Sequence, residues 1–220
     1  MITFIIPTLW KSDRIKDTIE SIKSSNRQDV ELIIIDNTNS DFKDNNARIT
    51  VIKVKNNIFV NPAWNIGATL ARNKYICLLN DDISLNINCL LNNFEELVKS
   101  DLDFGMIGLY KKNINVDVYN SDFDKLQLIE LDNRPYGFGC MMILKKENYV
   151  LIPDVFKVFF GDDYLYFYNK DIHHRKIYWI EGLKTPGQIS VTSKSFEPDH
   201  MQQEYKFWDQ EINTLINKNK

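Results

Sequence analysis

The sequence predicts an α/β protein built on one mostly parallel sheet flanked by helices. Short apolar runs alternate with amphipathic helical stripes through the first half of the chain, and such alternation implies right-handed crossovers between parallel strands. The chain has 220 residues, 44% of them hydrophobic, which is enough for one sizeable core. No internal repeat, low-complexity block or linker divides it. We therefore expect a single domain.

The first strand and the first helix are predicted within residues 2–22. Ile2 to Ile6 is a short apolar run, and Pro7 is expected to end it because proline cannot donate to a strand ladder. Ser12 has the hydroxyl of an N-cap, so a helix is expected to begin there. Apolar residues then recur at spacings of four and three, the stripe of an amphipathic helix: Ile15, Ile19 and Ile22.

Three strands and one helix are predicted next. The apolar runs Leu32 to Ile35 and Ile49 to Val54 predict two strands separated by a polar segment. Asn61 and Pro62 have the pattern of an N-cap followed by proline at the first helical position, so a helix is expected to begin there. Tyr75 to Leu79 then returns to the sheet.

The rest of the chain is less regular. Residues 111–134 are charged and rich in Asn and Asp, which predicts a long loop, and loops of this kind are often lids or acceptor-binding segments. The other predicted elements are a helix with the stripe Leu90, Phe94, Leu97 and Val98, strands at Phe104 to Leu109, Cys140 to Leu144 and Ile177 to Ile180, and a terminal helix from Asp199 to Asn217. Its stripe is expected to pack on the domain and comprises Met201, Tyr205, Trp208, Ile212 and Leu215.

Composition argues against several classes of protein. A formal net charge of −3, from 27 basic and 30 acidic residues that are well mixed, argues against nucleic-acid binding through a broad basic face. Three cysteines without a CxxC pair predict reduced thiols in a cytoplasmic protein, with no readable zinc site. The amino terminus lacks the features of a signal peptide, and no transmembrane segment is predicted. Peripheral association with a membrane stays open.

Carboxylates follow two of the predicted strands. Asp36 comes directly after Ile33 to Ile35, and the pair Asp81 and Asp82 follows Leu78-Leu79-Asn80. Acidic side chains are costly at the end of a buried strand unless a cation lies there, and open α/β sheets bind ligands at the carboxyl ends of their strands. A metal-bound anionic substrate is the first hypothesis. Simpler roles stay open, since Asp36 could begin a turn and the pair could cap the following helix.

Glycine-rich phosphate loops are missing from the expected places. The first strand is followed by Pro7-Thr8-Leu9, no G-x-x-x-x-G-K-[ST] motif occurs, and Gly137-Phe138-Gly139 lies too far downstream for dinucleotide binding. A divalent cation held by carboxylates is the other standard means of binding a diphosphate. The sequence therefore favours a divalent cation as the partner of a bound diphosphate.

Six short motifs occur in a fixed order along the chain. They are Ile5-Ile6-Pro7-Thr8, Ile34-Ile35-Asp36-Asn37, Asn65-Ile66-Gly67, Asn80-Asp81-Asp82, Gly137-Phe138-Gly139-Cys140-Met141-Met142 and Phe159-Phe160-Gly161-Asp162-Asp163. Together they resemble the motifs of family 2 glycosyltransferases with the GT-A fold, from Phe4 to about His200. The resemblance implies one GT-A domain, with a nucleotide-sugar half at 1–110, an acceptor half at 111–198 and a C-terminal helix at 199–220.

The resemblance also implies a donor site. Pro7, Thr8 and Asp36 would line the nucleoside pocket, with the Asp36 carboxylate accepting from the base or the ribose. Asn65 and Gly67 would close over the nucleotide, the glycine allowing close backbone approach. The donor would be a UDP- or dTDP-sugar.

Four carboxylates receive roles from the same resemblance. Asp81 would lie near the ribose and the sugar, and Asp82 would coordinate Mg²⁺ or Mn²⁺ bridging the diphosphate. Asp163 would be the general base for an acceptor hydroxyl, and Asp162 would help to hold the acceptor, a saccharide, lipid or protein-linked glycan. A base on one face and a metal on the other predict inversion at the anomeric carbon. Taken alone, Asp162 and Asp163 would simply begin a helix.

The chain departs from the family pattern at three places. Asp162 stands where many relatives have Glu, and Asn80 replaces a frequent Asp. Several relatives carry a late histidine near a serine, whereas residues 187–195 contain none and His200 is the nearest substitute. A metal would then have one protein ligand fewer unless His200 serves.

Three other functions are considered. A sugar-nucleotide pyrophosphorylase would be expected to show a glycine-rich, basic loop where this chain has Pro7-Thr8-Leu9-Trp10. A receiver-type phospho-aspartate domain would place its carboxylate pair after the first strand and would be shorter. A catalytically silent sugar-nucleotide-binding relative would share every motif, so only activity data separate it from an enzyme.

Overall fold

A computed structural model describes residues 1–99, 102–109, 114–115, 122–133, 138–186 and 198–218. Its strands are β1 (Ile2–Thr8), β2 (Val30–Asp36), β3 (Ile49–Lys53), β4 (Tyr75–Leu79), β5 (Met106–Leu109), β6 (Ile114–Asn115), β7 (Asp122–Glu130), β8 (Met141–Lys145) and β9 (Ile177–Pro186). Its helices are α1 (Arg14–Ser24), α2 (Val60–Leu70), α3 (Ile87–Lys99), α4 (Gly161–Phe167), α5 (Pro198–Phe207) and α6 (Asn213–Lys218). The π-helical turn Trp208–Ile212 joins α5 to α6, and we call residues 198–218 the terminal helix.

The strands form one sheet whose first half is parallel, as predicted. The order is β3-β2-β1-β4-β8-β5-β9-β6, and β7 pairs with β9. Neighbours among β1 to β4 run parallel, whereas β8 is antiparallel to both β4 and β5, and β7 is antiparallel to β9. Since β5 and β6 also run parallel to β9, the described sheet is mostly parallel, as predicted. Because β8 runs opposite to β4, it begins at the edge where β4 ends.

β1 continues through Pro7 to Thr8, so the prediction that Pro7 ends the strand is wrong. Pro7 pairs with β2, but the pairing of β1 with β4 stops at Ile5 and Leu78. The N–H of Asn37 donates to the carbonyl of Thr8 at 3.0 Å, so the backbone polar groups of Thr8 face β2. Those of Pro7 face the opposite side, where β4 no longer pairs with β1. The missing N–H of Pro7 therefore removes no ladder hydrogen bond.

Two helices do not begin at the predicted N-caps. α1 begins at Arg14, whose N–H donates to the Ser12 hydroxyl at 3.2 Å, so Ser12 lies two residues before the helix. α2 begins at Val60, after Phe59 with a left-handed φ of 68°. Asn61 is therefore inside α2 rather than at its cap. The cap pattern fails there because the Asn61 side chain bonds to a distant segment of the chain.

The central strands are buried on both faces, which explains their unbroken apolar runs. On β1, Phe4 and Ile6 face a core layer shared with α1 and α3, and Ile5 faces a layer shared with α2, α4 and the terminal helix. The predicted stripe residues that are buried on α1 and α3 are Ile15, Ile19, Ile22, Leu90 and Phe94. Among the described residues, no helix is long and apolar enough to cross a bilayer.

Part of the loop predicted at 111–134 is a strand. β7 pairs along β9, with an irregularity in register between Phe123 and Gln127. Long stretches without apolar periodicity can still form strands when a neighbour such as β9 supplies the pairing. Residues 110–113, 116–121 and 134–137, including Gly137, lie outside the described residues.

The terminal helix forms where it is predicted, and only part of its predicted stripe is buried. Glu204 and Ile212 are buried, whereas three residues of the predicted stripe are exposed, namely Met201, Tyr205 and Leu215. The π-helical turn inserts an extra residue per turn and shifts the phase of the helix. A stripe read at spacings of four and three therefore does not stay on one side.

Candidate active site

The carboxyl edge of the sheet gathers the predicted site residues. Because β1, β2 and β4 are parallel, their ends lie along one edge, with Thr8, Asp36 and Asn80 at or just after the last strand residue. β8 begins at this edge, since its first residue pairs with the last residue of β4. The N–H of Asn80 donates to the carbonyl of Cys140 at 3.1 Å. Groups from both halves of the chain therefore meet there.

Asp81 is fastened to the end of β1. The Thr8 hydroxyl donates to Asp81 Oδ2 at 2.7 Å and accepts the N–H of Trp10 at 2.8 Å. Burial raises the pKa of Asp81, and the hydrogen bond from Thr8 opposes that rise. Sequence reasoning missed Trp10, which has a left-handed φ of 56° and a ring centroid 4.4 Å from that of Phe42. Its one signal in the sequence was an aromatic residue directly after Pro7-Thr8-Leu9.

Asp82 is the more strongly perturbed carboxylate of the pair. The residue is buried, and burial followed by the negative charge of Asp81 raises its pKa to about 6. A buried carboxylate beside a half-buried one favours a cation or a proton between them. The pair does not cap the following helix, because Asn86 does so: its Oδ1 accepts the N–H of Cys89 at 3.1 Å.

This pair fits a divalent cation in charge and in ligand type. Mg²⁺ and Mn²⁺ prefer oxygen ligands, and Mg²⁺ is usually held by one or two carboxylates together with substrate phosphates. Within the described ranges, no group of three or more His, Cys, Asp or Glu side chains could hold a metal ion. Residues 187–197 and the side chain of His200 lie outside the description.

Asp36 is completely buried and holds the turn that follows β2. Its Oδ1 accepts the N–H and the hydroxyl of Thr38 at 3.0 and 2.8 Å, and its Oδ2 accepts those of Ser40 at 2.8 and 2.6 Å. Burial alone would raise the pKa of Asp36, but these hydrogen bonds outweigh burial and lower it. A carboxylate has about four acceptor positions. Asp36 therefore shapes the edge of the site through its own turn.

The second pair of carboxylates reaches the same edge through Gly139. Gly139 lies against the carboxylate of Asp162, so closely that a Cβ at Gly139 would overlap it. Asp162 and Asp163 occupy the first turn of α4, where the partial positive charge of a helix N-terminus favours carboxylates. The residue after Gly139 bonds to Asn80. Both pairs therefore lie around one edge of the sheet.

Asn65 binds a different segment of the chain. Its Nδ2 donates to the carbonyl of Ile152 at 2.8 Å. Its Oδ1 accepts the N–H of Ile152 at 2.9 Å and the hydroxyl of Tyr149 at 2.7 Å. Asn65 thus fastens α2 to residues 149–152, and the nucleotide contact that the resemblance implies for it stays a prediction.

Gly67 allows α2 to pack closely on β1. A Cβ at this position would overlap the side chain of Ile5. A strand of the protein therefore makes a close approach to this glycine, and the nucleotide contact that the resemblance implies for Gly67 stays a prediction. Packing against Ile5 is by itself a reason for glycine at this position.

Replacing Gly67 with alanine is expected to lower the free energy of unfolding by about 1–3 kcal/mol, because the added methyl group must displace Ile5. The sign is diagnostic, since glycine to alanine in an unhindered helix is stabilising. Urea denaturation measures the change, and an Ile5→Ala background should reduce it. If Gly67→Ala instead leaves the stability unchanged and weakens nucleotide binding, the result would support the nucleotide contact that the resemblance implies for Gly67.

Comparison with known proteins gives a family match over most of the chain. The model described as glycosyl transferase family 2 matches residues 3–156. No curated protein matches the chain in sequence.

Among solved structures, S. aureus TarS 1–349 is similar to this chain. The first TarS structure has a TM-score of 0.58 and 14% identity, over 81% of this chain and 57% of that one. Its complex with UDP-GlcNAc has a TM-score of 0.61 and 13% identity, over 92% of this chain and 64% of that one. The complex with UDP gives 0.57 and 14% identity, over 81% of this chain and 57% of that one. The chain thus spans less than two thirds of the TarS structures, and the likeness shows a shared fold.

Proposed function

Since this chain belongs to glycosyl transferase family 2, we propose that it transfers a sugar from a UDP- or dTDP-sugar to a hydroxyl of a saccharide, lipid or protein-linked glycan acceptor. It has the GT-A fold of the TarS structures. The observation that carries the proposal is that two pairs of carboxylates, Asp81 with Asp82 and Asp162 with Asp163, lie around the carboxyl edge of one sheet. One pair is suited to a diphosphate with its cation, and the other to an acceptor hydroxyl.

We assign the donor nucleotide to the edge formed by β1 and β2. TarS structures with UDP and with UDP-GlcNAc support a uridine nucleotide. Pro7 and Thr8 end β1 beside Asp81, and Asp36 orders the turn at 38–40 that would border the nucleoside. The contribution of Asp36 is then to shape the pocket, because its own turn already occupies its acceptor positions.

Because a nucleotide sugar is already activated, the protein has to align the acceptor hydroxyl with the anomeric carbon and remove the proton of that hydroxyl. Asp163 takes the proton of the acceptor hydroxyl while the acceptor oxygen bonds to the anomeric carbon and the bond from that carbon to the diphosphate oxygen breaks. Attack opposite to the leaving group inverts the anomeric configuration. Asp162, which lies against Gly139, orients the acceptor.

Negative charge develops on the departing diphosphate. Asp82, with Asp81 beside it, would hold Mg²⁺ or Mn²⁺, which when bound supplies electrostatic stabilisation of that charge. Thr8 keeps Asp81 in place through its hydrogen bond, and burial excludes water from Asp82. Because water is excluded, electrostatic interactions at this end of β4 are stronger than they would be in bulk water.

Isothermal titration calorimetry tests the donor assignment. We expect a UDP- or dTDP-sugar to bind more tightly with Mn²⁺ than with a chelator, and to bind more tightly than GDP-sugars. Absence of binding by any nucleotide sugar would contradict the proposal. Binding without transfer to any acceptor in a saccharide and glycolipid panel would favour the silent relative, and turnover of sugar 1-phosphate with a nucleoside triphosphate would favour a pyrophosphorylase.

A further inference from the structure

The four residues before α4, Lys157 to Phe160, lead directly into the proposed catalytic pair. α4 begins at Gly161, and Asp162 and Asp163 follow at once. The position of this 157–160 segment therefore decides where both carboxylates lie. Two elements far apart in the sequence, α2 and the terminal helix, bond to the backbone of the segment.

α2 holds the segment through Asn61, which is completely buried. The N–H of Asn61 donates to the carbonyl of Lys157 at 3.1 Å, and its Nδ2 donates to the carbonyl of Phe159 at 2.9 Å. Gly161 lies against Asn61 Oδ1, where a Cβ would overlap that oxygen. The start of α4 is thus pressed against α2.

The terminal helix holds the same segment through Glu204, which is also completely buried. Its carboxylate accepts the N–H of Val158 at 3.2 Å and the N–H of Phe159 at 2.8 Å. Burying a carboxylate is costly unless it is hydrogen bonded, and bonds from N–H groups to a charged acceptor are among the stronger ones. Glu204 therefore joins the terminal helix to this backbone in a defined geometry.

Aromatic rings fix the last residue of the segment. Phe160 has a left-handed φ of 60°, which a bulky side chain adopts only when its surroundings impose it. Its ring stacks on Trp208 with centroids 5.0 Å apart and an interplanar angle of 15°. Tyr205 meets the ring edge-on at 4.9 Å. Both partners belong to the terminal helix, on either side of Phe207.

We propose that Glu204 and Trp208 are positioning residues for the general base, because they hold the 157–160 segment from which Asp163 is presented. This rests on the proposed function, which makes Asp163 the base. Misplacement of a reacting group by about 1 Å can cost on the order of 10²-fold in rate. The terminal helix, far from the donor edge in sequence, is therefore part of the catalytic apparatus.

The Glu204→Gln variant tests this role, because it removes the charge and turns one acceptor into a donor with little change in volume. We expect kcat for sugar transfer to fall by about 10- to 10²-fold, with KM for the nucleotide sugar within about twofold. Hydrogen exchange at the amides of Val158 and Phe159 should accelerate. Glu211→Gln makes the same chemical change at an exposed position of the terminal helix. It should alter neither kcat nor the hydrogen exchange of these two amides. If Glu204→Gln does not fold, Trp208→Leu replaces it with the same expectations for kcat and KM.

A double variant separates this inference from the proposed function. In an Asp163→Asn background, Glu204→Gln should lower kcat no further, because the group it positions is already lost. Full kcat and full amide protection in Glu204→Gln would overturn the positioning role and leave Asp163 as the base. Full activity in Asp163→Asn would instead overturn the base, whatever the effect of Glu204→Gln. A further loss in the double variant equal to that in the wild type would show that Glu204 acts elsewhere.

Discussion

The Asp163→Asn variant is expected to transfer sugar about 10²- to 10⁴-fold more slowly than the wild type, with nearly unchanged affinity for the nucleotide. Asparagine keeps the shape of the side chain but cannot accept the acceptor proton. Asp163 lies in the first turn of α4, a different element from β1, at whose end the nucleotide is assigned. Initial rates at saturating donor measure the loss, and calorimetry with UDP measures the affinity.

Asp162→Asn is the matched control for this variant. It makes the same change one residue earlier, next to Gly139. Its expected loss is smaller and appears chiefly as a higher KM for the acceptor, since uniform binding is the role assigned to Asp162. Undiminished activity in Asp163→Asn, or a larger kcat loss in Asp162→Asn, would contradict the assignment of the base.

The Asp82→Ala variant should lose most of the strengthening of UDP binding by Mn²⁺. Asp82 is buried beside Asp81, and this local negative charge is what the cation would neutralise. Calorimetry of UDP with Mn²⁺ and with a chelator gives the ratio of affinities for each protein. In the wild type we expect at least about a tenfold ratio, equivalent to roughly 1.4 kcal/mol.

Asp13→Ala serves as the charge control for Asp82→Ala, since the Asp13 side chain is 88% exposed. It removes one negative charge outside the site, so its ratio should equal that of the wild type. Equal UDP affinity in Mn²⁺ and in chelator for the wild type would contradict the metal role of Asp82. An unchanged ratio in Asp82→Ala would show that the cation is held by ligands other than Asp82.

Strands were the most predictable part of the fold. Tyr75 to Leu79 is a strand with the predicted bounds, because a run that is buried on both faces is apolar throughout and ends where burial ends. Features that depend on distant partners were not predictable. Pro7 is tolerated because β4 has already ended, and Asn61 fails as a cap because it bonds to the carbonyl of Phe159.

The candidate site also has one part that the sequence predicts and another part that depends on distant partners. Asp36, Asp81 and Asp82 could be placed at one edge because each directly follows an apolar run, and parallel strands end together. The resemblance implies nucleotide roles for Asn65 and Gly67, which stay predictions; their protein partners, Ile152 and Ile5, lie on other elements and could not be read from the motif.

Glu204 had no signal in the sequence. A single glutamate in an amphipathic helix usually faces solvent, and only the position of the 157–160 backbone turns it into a buried acceptor. Positioning residues of this kind are defined by tertiary contacts, so motif spacing does not reveal them.

The configuration of the new glycosidic bond tests the inverting mechanism most directly. Proton NMR can follow the reaction of the donor identified by calorimetry with an acceptor from the panel, and the coupling constant of the anomeric proton reports the configuration. We expect the first product to have the anomeric configuration opposite to that of the donor sugar. A first product that retains the donor configuration would contradict single displacement with Asp163 as the base.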